Sequence, residues 1–167
     1  MKYKTILSTI LIVILAGVFA FPAAAQDGIN QELGKVRGVT AKYHSTDVAQ
    51  ADGYDLVPGL DYCFNNPGVG GMGYHYINTA LLDTVIDPLK PEAMVYAPLA
   101  NGKLQLAAVE YIVPADAWDA IYDQPPTLFG QTFGLESALG VYELHAWIWK
   151  NNPKGIFFEW NPDVVCR

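Results

Sequence analysis

Two apolar runs, Ala93–Ala97 and Leu104–Val113, flank the dipeptide Asn101-Gly102. An Asn-Gly step between two extended runs is a strong hairpin signal, because a type I′ turn needs two positive φ angles in succession. The chain is therefore built around an antiparallel sheet, and Pro98 suggests that the first of these strands lies at an edge. Tyr74–Asn78 reads as a further strand, with Asn78 or Thr79 capping a short turn after it. Tyr142–Trp149 reads as another: Tyr142, Leu144, Ala146 and Ile148 alternate with Glu143, His145, Trp147 and Trp149. A turn at Asn151–Gly155 leads to a last aromatic segment, Ile156–Trp160.

Helical signals are short. Ser45 or Thr46 can cap a helix that runs to Asp52 and stops at Gly53, and Pro114–Ile121 reads as a short helix that buries Trp118 and Ile121. Residues 54–72 and Gln124–Gly140 are rich in Pro and Gly and read as loops. Residues 26–38 are polar and punctuated by glycine, and read as a linker or loosely docked arm. The expected fold class is α+β: one domain over residues 39–167, mainly an antiparallel sheet with short helices and long loops. Aromatic residues make up 13% of the chain, ample for a core.

The N-terminus has the form of a secretory leader. Lys2 and Lys4 precede an uncharged apolar run, Thr5–Phe21, and Ala23-Ala24-Ala25 follows Pro22 as a small-residue cleavage site. The expectation is a signal peptide over residues 1–25, a secreted or periplasmic protein, and no stable membrane anchor after cleavage. Cys63 and Cys166 are the two cysteines, and in an oxidising compartment they are expected to form one disulfide. The chain carries 17 acidic and 10 basic residues, net −7; without Lys2 and Lys4 the basic count is 8 and the net charge −9. Such a domain is a poor nucleic-acid binder and has little attraction for anionic membranes.

Chemistry is concentrated on two strands. On Leu104–Val113 the even positions read Leu104, Leu106, Ala108, Glu110 and Ile112, so Glu110 is a carboxylate on an apolar face. Buried and ionised, it would need a partner or a raised pKa. The chain has only His44, His75 and His145 as imidazoles, and His75 and His145 sit mid-strand as Glu110 does. One reading is a metal site formed by His75, Glu110 and His145, with Glu143 as a further ligand or orienting group and His44 completing the set. Imidazoles with a carboxylate suit Zn, Cu, Mn or non-haem Fe. A second reading keeps each histidine as a hydrogen-bonded core residue. A third is a non-catalytic interaction or carbohydrate-binding surface made of Trp147, Trp149 and Tyr74, and a fourth is a hydrolase using Glu110 and Glu143 as paired carboxylates. The Gly68–Gly73 stretch lacks the Lys-Ser/Thr pair of a phosphate loop and precedes a strand. Neither Ser45 nor Ser137 lies in a nucleophile elbow.

Several segments resemble an uncharacterised family of exported, mostly bacterial proteins: Ala41-Lys-Tyr-His, Gly71-Met-Gly-Tyr-His-Tyr, Tyr142-Glu-Leu-His-Ala-Trp-Ile-Trp with Asn152-Pro-Lys-Gly, and Trp160-Asn-Pro with Cys166. The resemblance spans most of residues 40–166. It implies an exported single domain and carries no activity, cofactor or catalytic residue.

Overall fold

The polar segment ahead of the first strand is helical. A computed structural model of the protein describes residues 23–166; apart from Ala23–Ala25, the expected leader lies outside the described residues. Helix α1 runs over Ala23–Thr40. Ile29, Leu33, Val36 and Thr40 fall at i, i+4, i+7 and i+11, a single helical face. Leu33, Val36 and Thr40 are buried, and Ile29 packs beside them. The glycines that suggested a linker or arm lie elsewhere on the helix: a Cβ added at Gly28, Gly34 or Gly38 would meet nothing within 4 Å. Arg37 Nε donates to the Ile148 carbonyl at 2.7 Å, tying the helix to the sheet domain. A 3-10 turn, Ala41–His44, leads to α2, Thr46–Ala51, which ends before Gly53 at φ +93°.

The strands are β1 (Asp55–Leu56), β2 (Phe64–Asn66), β3 (Gly70–Ile77), β4 (Ala93–Pro98), β5 (Leu104–Pro114), β6 (Thr127–Leu128), β7 (Gln131–Thr132), β8 (Gly134–Glu136) and β9 (Val141–Ala146), with α3 (Ala115–Asp119) between β5 and β6. The main sheet has the order β1-β3-β4-β5-β9-β8, with β2 also on β3, while β6 and β7 form a small separate ladder. Every pairing is antiparallel. The α+β class is as the sequence predicts, and Asn78 caps the turn after β3 by accepting from the Ala80 N–H.

Four local expectations are corrected. First, β4 is an interior strand: its pairing with β3 ends at Tyr96, two residues short of Pro98, so the missing proline N–H costs no ladder bond. Second, the β4–β5 turn is not type I′. The Leu99 carbonyl accepts from Gly102 N–H and Leu99 N–H donates to Lys103, with Gly102 at φ +79° and Asn101 outside the positive-φ region. That is a three-residue loop with the left-handed residue at its end. Third, the supposed loops 54–72 and 124–140 contain the short strands β1, β2, β6, β7 and β8, too brief to show a period. Fourth, Ile121 is exposed, and of the two residues expected to be buried only Trp118 packs on the core, beside the buried Ala115.

The sheet is covered on both faces. One face carries the large core, where Met94, Tyr96, Leu106, Val109, Tyr111 and Leu144 meet Leu33 and Val36 of α1. Burying each such aliphatic side chain is worth about 1.5–3 kcal/mol. The buried Tyr96 and Tyr111 hydroxyls donate to the Tyr43 and Pro88 carbonyls at 2.6 and 2.8 Å, so no phenol is left unsatisfied there. The opposite face carries a smaller cluster of Val95, Ala97, Ala107, Ala108, Trp147 and Val164. The C-terminal segment lies against β3 on this side: Gly71 and Asn161 exchange backbone hydrogen bonds of 3.1 and 2.9 Å, and a Cβ on Gly71 would come 2.8 Å from the Val164 carbonyl oxygen. Close backbone approach therefore accounts for a glycine in this strand. The Cys63–Cys166 disulfide fastens the same segment, with Cα atoms 5.6 Å apart.

Candidate metal centre

A bulge decides which residues share a face with Glu110. Val95 pairs with Ala108 and Tyr96 with Leu106, so Ala107 is an extra residue in β5. Leu104 and Leu106 consequently join the large core with Val109 and Tyr111, while Ala108, Glu110 and Ile112 face the other way. The single even-numbered face expected for this strand is thus split at Ala107. The bulged carbonyl of Ala107 accepts from both Trp149 and Lys150 N–H groups, at 3.0 and 2.9 Å.

On that opposite face three side chains converge from three strands. Glu110 of β5 lies directly across from His145 of β9, and across from Ala93 of β4 on its other side. His75 of β3 pairs with Val95 of β4. Neighbouring strands are about 4.8 Å apart, so β3 and β9 are separated by about 14 Å. The gap is closed because the intervening positions, Ala93, Val95 and Ala108, carry short side chains and are fully buried. The two imidazoles reach across them from opposite sides. His75 Nε2 lies 3.3 Å from His145 Nε2 and 3.4 Å from Glu110 Oε2, and His145 Nδ1 lies 3.5 Å from Glu110 Oε1. The residues are 5%, 2% and 3% exposed for His75, His145 and Glu110. One ligand atom from each lies within 4.8 Å of the others, a grouping that can hold a metal ion.

Burial dominates the electrostatics. It lowers the His75 pKa to about 4, with the Gly73 backbone working the other way. It also pushes His145 well below the usual imidazole value, helped by His75. Burial raises Glu110 well above the usual carboxylate range, and the neighbouring Glu143 adds to this. Glu143 is itself pushed up to about 7, first by burial and then by Glu159 and Glu136, against a hydrogen bond with Glu110. Burial thus favours the uncharged forms of His75, His145 and Glu110 and weakens the His–Glu contacts as ion pairs. Both Nδ1 atoms are buried without a hydrogen-bond partner. The two rings nevertheless meet in a hydrogen bond, Nε2 to Nε2, so each imidazole is half satisfied as a core residue and keeps one nitrogen without a partner.

His75, Glu110 and Glu143 also line a pocket of about 440 Å³, together with Phe64, Leu139 and Glu159. Sequence reasoning did not find this pocket. Its walls come from residues 60–64, 136–143 and 159–160, brought together by the disulfide and by the return of the C-terminal segment, and no local pattern signals that.

The remaining expected site residues lie elsewhere or act differently. Glu143 is outside the three-residue cluster but lines the same pocket as Glu110 and is electrostatically coupled to it. His44 is exposed in the 3-10 turn, its ring edge-on to Trp149 at 4.4 Å, and is not part of the cluster. β9 ends at Ala146, so Trp147 and Trp149 leave the alternation. Trp147 is 2% exposed in the small cluster, and its indole donates to the Phe158 carbonyl. Trp149 and Tyr74 pack against the large core. The three aromatics therefore form no common exposed surface. Glu110 and Glu143 line one pocket, with Glu136 and Glu159 beside them.

Among the described residues no helix is long and apolar enough to cross a membrane. Searches against protein-family models, curated proteins and solved structures find no match to this chain.

Proposed function

We propose that this chain is an exported metal-binding protein that holds one divalent transition-metal ion through His75, Glu110 and His145. The observation that carries the reading is the spacing of the ligand atoms. Tetrahedral bonds of about 2.0–2.1 Å put neighbouring ligand atoms about 3.3–3.4 Å apart. The Nε2–Nε2 and Nε2–Oε2 separations are 3.3 and 3.4 Å. Two imidazoles held neutral and one carboxylate form a donor set suited to zinc or ferrous iron, with at least one coordination position left for water or a ligand. Glu110, protonated when no ion is bound, would release its proton on binding, so affinity would rise with pH. Glu143, which lines the same pocket as Glu110 and is electrostatically coupled to it, would be the outer group that orients the ligating carboxylate. The disulfide and the leader-like N-terminus support export.

The test is calorimetric titration of chelator-stripped, tag-free protein with Zn²⁺. One equivalent bound by the wild type and lost in His75→Ala and His145→Ala is expected, with folding of each variant checked by circular dichroism. Undiminished binding in both folded variants would refute the assignment.

A further inference from the structure

We propose that the pocket beside the three-residue cluster binds a small apolar molecule carrying a cationic amine head. Leu60, Phe64, Met72, Ile77, Leu82 and Ile112 supply apolar wall, and about 440 Å³ lies in the range of small-molecule sites. The pocket is built into the fold. Cys63, bonded to Cys166, stands between Tyr62 and Phe64, and Phe64 is paired with Gly73 of β3. Tyr62 is 52% exposed yet stacks on Phe64 with centroids 4.3 Å apart, holding an aromatic ring at the rim.

The polar groups select the head. Glu110, Glu136, Glu143 and Glu159 line the pocket, and none of its lining residues is Lys or Arg. An anionic head would find no cationic partner, whereas an ammonium finds several carboxyl oxygens as acceptors. His75 also lines the pocket and is 5% exposed. The net charge of −7 favours approach of cations over anions. This inference does not depend on a bound ion, because the walls and the acidic lining belong to the protein alone.

The test is an NMR titration of ¹⁵N-labelled protein in excess chelator with n-octylamine, n-hexylamine and octanoate. Octylamine is expected to saturate shifts in amides of residues 60–64 and 136–143. Hexylamine should bind roughly fifteenfold more weakly, about fourfold per methylene, and octanoate at least about tenfold more weakly. Glu159→Gln and Glu136→Gln should narrow the amine–carboxylate gap, and Leu82→Trp should abolish binding by filling the pocket. Octanoate binding as tightly as octylamine, shifts confined to other surfaces, no saturable shift, or full binding by Leu82→Trp would each overturn the proposal. Repeating the titration in Zn²⁺ separates the two sites: amine binding without metal binding counts against the metal centre alone, and metal binding without amine binding against the pocket alone.

Discussion

Replacing Glu110 by glutamine keeps the shape of the side chain and removes its proton equilibrium. In the folded protein burial raises this carboxyl well above its ordinary value of 4.5, while in the unfolded chain it titrates near that value. Above pH 4.5 the unfolded state has released a proton that the folded state keeps, so folding takes up a proton and stability falls as pH rises. The slope is about 1.4 kcal/mol per pH unit for as long as the folded carboxyl stays protonated. At pH 5.5, one unit above the unfolded value, Glu110→Gln in excess chelator should therefore be more stable than wild type by about 1.4 kcal/mol. For a chain of this size that is a rise in Tm of roughly 3–6 °C. The gain should vanish near pH 4, where both states are protonated. Urea unfolding followed by tryptophan fluorescence across pH 4–6 reads the slope directly. With Zn²⁺ the order should reverse: at a free ion concentration 100-fold above Kd the wild type gains about 2.7 kcal/mol, and the variant, lacking an ionisable ligand, gains little. A loss of about 3–5 kcal/mol on substitution in chelator would mean that Glu110 is ionised and paired with an imidazolium, and the reasoning from burial would be wrong.

Glu92 is 4% exposed, accepts from the Ile112 N–H at 3.0 Å, and is pushed up to about 7 chiefly by burial. The stability gap between Glu92→Gln and wild type should therefore widen in favour of the glutamine by roughly 3 kcal/mol between pH 4.5 and 7; a gap that is flat with pH in denaturant titrations would contradict this. Gly34→Ala, at an open position inside α1, should raise stability by about 0.5–1 kcal/mol, and a drop in Tm would show that the helix is not formed. The Cys63→Ala/Cys166→Ala double variant, which opens a link spanning 103 residues, should lose about 4–5 kcal/mol and expose the segment around Tyr62 to limited proteolysis. A change below about 1 kcal/mol would deny the disulfide its structural role.

The residues that converge were legible because their parity is local. Glu143 and His145 alternate with Leu144 over a stretch that stays in one strand, and Glu110 with Ile112 lies on the C-terminal side of the bulge. The parity failed where backbone irregularity intervened: Ala107 moves Leu104 and Leu106 to the other face, and the end of β9 at Ala146 separates Trp147 from Trp149. Helix α1 was obscured by glycines lying off the buried face, although Ile29, Leu33 and Val36 carry the helical period. That His75 meets His145 over two intervening strands depends on strand order and on the short side chains at Ala93, Val95 and Ala108. Neither the order nor the resulting pocket is written in any contiguous stretch.

Metal content tests the central claim most directly. Tag-free protein should be dialysed against Zn²⁺, freed of excess ion and measured by elemental analysis before and after chelation, alongside His145→Ala. The account predicts about one zinc per wild-type chain, removed by chelator and absent from the folded variant. Substoichiometric zinc in the wild type, or equal zinc in His145→Ala, would contradict it.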